Sequence, residues 1–197
     1  MVSERLERQL RFIVEIDKLK SVFRQTLLMH GKRYENDAEH SWHIAVMALL
    51  LSEYASGQKL DIARVMKMAL VHDLVEIDAG DTFCYDEKGA QTKLAREQSA
   101  ADRIFGILPA DQASEIRALW DEFEARQTPE ARFAAALDRL QPLLHNYNTQ
   151  GAAWQKHGVT SDKVLARNKH IEEGAPVLWE YAENLIRDAV EKGYLGR

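Results

Sequence analysis

The run Ala69-Leu70-Val71-His72-Asp73-Leu74-Val75-Glu76 places a histidine and an aspartate side by side inside an otherwise apolar segment. Neither group is buried cheaply unless something pairs with it. A fold that buries this segment must therefore bring partners to it from elsewhere. A metal ion is the simplest single explanation for both groups, and it needs further ligands from other parts of the chain.

The background is helical. Hydrophobic residues make up 46% of 197, with only four prolines and ten glycines, which predicts an ordered, helix-rich chain of one domain. The expectation is an all-α bundle of six to eight helices spanning 1–197, with the metal-site core at about 20–150 and C-terminal helices at 160–193. The net charge of -5, with no Lys/Arg cluster, excludes non-specific grip on a nucleic acid polymer. A single anionic nucleotide needs only a few local cations or a metal. The one cysteine, Cys84, forms no intrachain disulfide and fits a reducing compartment. The start MVSERLERQL is too charged for a signal peptide, and the apolar run Ile44 to Leu51 is too short to span a bilayer. A cytoplasmic protein without membrane contact is the expectation.

In chain order, residues 4–22 carry apolar positions at helical spacing. The stretch 22–36 has no clean period and reads as an extended connection that presents Arg24, Gln25, Lys32, Arg33 and Tyr34. Asn36 or Asp37 caps a second helix that runs to about Ala55, with His40 and His43 in its first turns. Asp61 caps a third helix, Ile62 to about Ile77. On its last turns His72 and Glu76 stand four apart, and Asp73 and Glu76 three apart. The chain breaks at Asp78-Ala79-Gly80-Asp81, where Gly80 allows a sharp turn that returns Asp81 toward the histidine-aspartate pair.

A polar loop at 81–91 offers Phe83 and Tyr85 as a wall for a ring-bearing ligand or as anchors to the core. Helices follow at about 92–107 and 110–126, and a sixth opens at Thr128-Pro129. Asp138 stands in the apolar face of this sixth helix. A salt bridge with Arg139 or Arg132 is disfavoured there, because neither spacing is the three or four that brings helix residues together. Pro142 predicts a kink. A loop at 151–158 and a final helical system at 161–192, interrupted at Gly174-Ala175-Pro176, complete the chain. No strand alternation of useful length is present.

His40, His72, Asp73 and Asp138 are the candidate ligands. Two imidazoles and two carboxylates suit manganese, cobalt, iron, zinc or nickel, with magnesium also admitted, better than calcium. Such an ion acts as a Lewis acid and activates water. Glu76 and Asp81 lie beside it as candidates for proton transfer or for positioning the attacking water.

The ordered set resembles the HD-domain metal-dependent phosphohydrolase superfamily. The similarity covers about residues 8–150 and rests on Asn36-Asp37-Ala38-Glu39-His40-Ser41-Trp42, His72-Asp73-Leu74-Val75-Glu76 with Gly80-Asp81, and Leu137-Asp138-Arg139-Leu140. These segments are similar to the bacterial 5′-deoxynucleotidases and the eukaryotic HD-domain-containing protein 2 family. A lone HD dipeptide would be weak; the ordered set is specific. The resemblance implies a divalent metal on His40, His72, Asp73 and Asp138, hydrolysis of a phosphomonoester, catalytic roles for Glu76 and Asp81, and a homodimer. It also implies that Arg24, Asp73, Asp81 and Thr82 contact a small nucleotide substrate, with Arg24 on its phosphate. Gln25 stands where the relatives carry tryptophan, which bears on base and sugar selectivity.

Two other readings compete. One is a phosphodiesterase or pyrophosphohydrolase on another nucleotide, against which stand the missing GYP element after HD and the few cations available to grip a triphosphate. The other is a metal-dependent nucleotide-binding module without turnover, against which stand the intact Glu76 and Asp81.

Overall fold

The computed structural model describes residues 3–57 and 59–197. Ser3 accepts a hydrogen bond from the Leu6 amide and opens α1 (Glu4–Ile16), which passes into one tight turn at Asp17–Ser21. Most of the apolar row of α1 stays exposed: Leu10 at 49%, Ile13 at 59% and Val14 at 72%.

The connection that follows forms a small antiparallel hairpin, β1 (Phe23–Leu27) and β2 (Tyr34–Asn36), with Phe23 opposite Asn36 and Leu27 opposite Tyr34. This corrects the expectation of a chain without strands. The signal was hidden because two residues that the hairpin turns inward, Arg24 and Glu35, are charged, so no apolar alternation exists to be read.

Asn36 caps α2 (Asp37–Leu51). Its side chain accepts from the Glu39 amide, and Glu39 reaches back to the Asn36 amide. Asp61 caps α3 (Ile62–Val71). The predicted continuation to Ile77 does not form. The Glu76 amide donates to the Asp73 carbonyl and the Leu74 amide to that of Val71, three residues back rather than four. The chain then re-enters a single turn, α4 (Glu76–Ala79), and leaves through Gly80 at φ 73°. Three residues per turn stacks side chains three apart, so Asp73 and Glu76 fall on one side.

α5 (Glu87–Phe105) begins five residues earlier than expected, because the Asp86 side chain accepts from the Lys88 and Gly89 amides. α6 (Ala110–Ala125) and α7 (Pro129–Asn148) follow, the latter capped by Thr128 on the Ala131 amide. Pro142 deprives α7 of one donor without ending it. The expected loop at 151–158 contains α8 (Ala152–Lys156). Last come α9 (Ser161–Asn168), α10 (Ile171–Gly174) and α11 (Pro176–Glu191). Eight of these helices have eight residues or more, as expected of the bundle. None of the described helices is long and apolar enough to cross a membrane.

α7 is the central helix. It packs on α2, α3, α6, α10 and α11 and buries Phe133, Leu137, Leu140 and Leu143. Each such side chain contributes roughly 1.5–3 kcal/mol by leaving water. Asp138 and Gln141 sit among them on the side that meets α2, and only their partners across that interface make the burial tolerable.

At the end of α7 the backbone turns through Gly151 at φ 75°, and a Cβ there would lie 1.8 Å from the Tyr194 carbonyl oxygen. Gly151→Ala is expected to destabilise the fold by about 2–4 kcal/mol, from the left-handed backbone and the clash together. A urea midpoint equal to that of the parent protein would refute this.

Candidate metal centre

His40 lies in the first turn of α2 with no exposed surface. Its Nδ1 is 3.1 Å from Gln141 Oε1, and its Nε2 is 2.9 Å from Asp138 Oδ1. Gln141 is oriented by its other contacts. Its amide nitrogen donates to Glu35 Oε1 at 2.5 Å and faces His145 Nε2 at 3.0 Å. His145 Nδ1 donates in turn to the Leu27 carbonyl at 2.9 Å, which leaves Nε2 free to accept. The carbonyl end of Gln141 is therefore the one facing His40, and a carbonyl only accepts. So Nδ1 of His40 carries the proton and Nε2 is bare.

His72 follows the same logic at the end of α3. Its Nδ1 donates to the Ala69 carbonyl at 2.8 Å. Its Nε2 lies 3.1 Å from Asp73 Oδ1 and 3.8 Å from Asp138 Oδ1, and it is buried without a directed hydrogen bond. Asp73 Oδ2 is 3.9 Å from His40 Nε2. Two imidazole Nε2 atoms thus converge on two carboxylates. Lone pairs facing lone pairs repel, and a divalent cation among them would relieve this; the Nδ1–H bonds are the usual outer support of metal-binding histidines. Donor atoms of His40, His72 and Asp73 lie within 4.8 Å of one another. The residues fit a divalent metal.

The carboxylates draw positive charge to this point, so that His72 Nε2 holds a proton when no cation is bound and gives it up to a metal. Burial opposes charge on His72, but the Asp73 and Asp138 carboxylates outweigh it and raise the imidazole to about 10. At His40, burial reinforced by Arg24 wins and lowers the ring to about 4.

A carboxylate cluster adjoins the four. Oxygens of Asp37, Asp73 and Glu76 lie within 4.8 Å of one another. Arg24, from β1, is their counter-ion: Nη1 is 3.1 Å from Asp73 Oδ2 and 3.5 Å from Asp37 Oδ1, and Nε is 3.6 Å from Glu35 Oε2. Burial, then Asp73, pushes Asp37 up to about 7, and burial raises Glu35 to about 7 against the pull of Arg24. Glu76 is raised well above the usual carboxylate range by burial and by Asp73, Asp37 and Asp81. Burial also raises Asp81.

The sequence reading missed Glu35, Asp37 and Gln141. The available signals were the charges flanking Asn36 in Glu35-Asn36-Asp37 and the placement of Gln141 three residues after Asp138.

The centre opens into a cavity of about 170 Å³ whose lining includes Arg24, Asp81, Thr82, Phe83, Tyr85 and Trp154. Thr82 Oγ1 accepts from Arg96 at 2.9 Å. Phe83 and Tyr85 do both things expected of them: they pack on the core and wall the cavity. Arg33 is absent from this lining and pairs with Glu39 on the surface at 2.5 Å. One expectation is corrected at Asp138. Arg139 does pair with it, through Oδ2 at 3.1 Å, although the two are adjacent in sequence. Asp138 Oδ1 remains directed at the histidines.

Residues 16–179 match the HD domain family. A 5′-deoxynucleotidase of Danio rerio is 32% identical over 145 residues, 72% of this chain and 70% of that protein. The human 5′-deoxynucleotidase is 32% identical over 68% of this chain, which spans 65% of the human protein. Among solved structures, a predicted metal-dependent phosphohydrolase from Magnetospirillum magnetotacticum MS-1 is 56% identical, with all of both chains covered and a TM-score of 0.95. A protein of Pyrococcus furiosus, 21% identical, has a TM-score of 0.63 over 92% of this chain and 99% of its own, and shares the fold.

Proposed function

This chain belongs to the HD domain family, and from that premise we propose that it is a metal-dependent phosphohydrolase acting on nucleoside and deoxynucleoside 5′-monophosphates. One observation carries the reading. The Nε2 atoms of two histidines and two carboxylates converge at the mouth of a cavity in which a buried glutamate, Glu76, stands beside Asp73.

His40, His72, Asp73 and Asp138 would hold the cation. When bound, it supplies Lewis-acid polarisation of the phosphoryl group and lowers the pKa of water. The protein residues do the rest. Glu76, made basic by burial and neighbouring carboxylates, takes a proton from the attacking water. A new oxygen–phosphorus bond forms, the ester oxygen–phosphorus bond breaks, and the sugar 5′-oxygen leaves with a proton. Arg24, fixed against Asp73, Asp37 and Glu35, balances charge on the phosphoryl oxygens. Asp81 and Thr82 line the cavity where a sugar hydroxyl would lie, and Phe83 and Tyr85 flank a base.

The direct test is phosphate release from a panel of ribo- and deoxyribonucleoside monophosphates with manganese, cobalt, magnesium or zinc. Release of pyrophosphate instead of phosphate from longer nucleotides would favour a different hydrolase. Glu76→Gln should retain metal at the parent level and lower kcat by about 10²–10⁴-fold, the usual worth of a positioned proton acceptor. Unchanged turnover removes Glu76 from the mechanism.

A further inference from the structure

The cavity holds a second group of charges that the metal chemistry does not use. Arg126, Arg139 and Arg167 all line it. They come from the end of α6, the middle of α7 and the end of α9. Only Arg139 has a carboxylate partner among the described residues, Asp138, and it shares that partner with the histidines. The Nε atoms of Arg126 and Arg139 are buried without a hydrogen-bond partner. Arg126 also adopts the left-handed backbone at φ 51°, one of two non-glycine residues to do so among the described residues.

The field these groups create is felt nearby. Arg167 is lowered from its ordinary value first by the Arg139 guanidinium. His170, half-buried with an unpartnered Nε2, is pushed down to about 4 by burial and then by Arg139 and Arg126. Arg126 and Arg167 line the cavity with no carboxylate partner among the described residues, and Arg139 shares its one partner, so an anion in the cavity would supply a counter-charge. A single phosphate at the metal centre has Arg24 beside it already. The sequence displays no basic run because the three arginines stand 13 and 28 residues apart. The fold places the three in the wall of one cavity.

We propose that Arg126, Arg139 and Arg167 form an anion subsite beside the metal centre, so that the preferred substrate is a small molecule bearing a second phosphate besides the phosphomonoester that is cleaved. The subsite's role in substrate choice rests on the phosphohydrolase reading above; its affinity for an anion does not.

The test uses Arg167→Gln and Arg126→Asn, singly and together; asparagine tolerates the left-handed backbone that Arg126 adopts. Two measurements are needed. Inorganic phosphate, titrated calorimetrically into metal-free protein, should bind the parent and bind the double variant at least about tenfold more weakly, the worth of one charged hydrogen bond. With manganese bound, kcat/KM for a nucleoside 3′,5′-bisphosphate should exceed that for the 5′-monophosphate by about tenfold or more, through KM. The double variant should bring this ratio close to one. Equal phosphate affinity in parent and variant, or a ratio unmoved by the substitutions, overturns the proposal. If the manganese-loaded parent releases phosphate from neither compound, the nucleotide reading falls, and the calorimetric comparison alone decides the subsite.

Discussion

Asp73→Ala is expected to abolish metal retention and phosphate release together, with kcat/KM falling by about 10³-fold or more. The removed group lies 3.1 Å from His72 Nε2, 3.9 Å from His40 Nε2 and 3.1 Å from Arg24. A Lewis-acid ion supplies several kcal/mol of transition-state stabilisation, and each 1.36 kcal/mol is tenfold in rate. The fold should survive, because the change also relieves repulsion among Asp37, Glu76 and the lost carboxylate, which lie within 4.8 Å. Metal analysis of the purified variant beside a phosphate-release assay is the check. Stoichiometric metal in Asp73→Ala, or full activity without metal, would sink the ligand assignment.

Gln141→Leu is expected to be the most damaging change outside the proposed ligands. Leucine matches the volume but removes the group that holds His40 Nδ1, Glu35 and His145 at once, with His43 Nδ1 a further 3.3 Å neighbour. The polar groups left behind are buried, Glu35 at 1% exposure and His40 at 0%. Stranding a buried charged group and two imidazoles should cost about 3–5 kcal/mol of stability. Metal affinity should fall about 10–100-fold, because nothing then fixes the protonated nitrogen of His40. Urea unfolding reads the first effect and competitive metal titration the second. Parent-like values in both would show that Gln141 is only a packing residue.

Part of this was legible in the chain. Helical periodicity and capping residues such as Asp61 and Thr128 gave most of the helices, because these signals act within one or two turns. His40, His72, Asp73 and Asp138 were conspicuous because each is polar at a position the helical pattern buries or leaves at a helix entrance. The structure brings all four together. The hairpin was invisible because Arg24 and Glu35 point inward, and α3 stops at His72 although its apolar pattern continues.

What lay beyond the sequence is of one physical kind. Gln141 meets Glu35 and His40 across separations of 106 and 101 residues, and the three arginines meet only in the cavity wall. By itself the sequence determined which segments coil and which polar residues need partners, since both follow from short-range backbone geometry and the cost of burying charge. Only the tertiary structure decided which partner each received, which nitrogen of each histidine faces the site, and which arginines share the cavity wall. Those depend on distances between segments that no local pattern encodes.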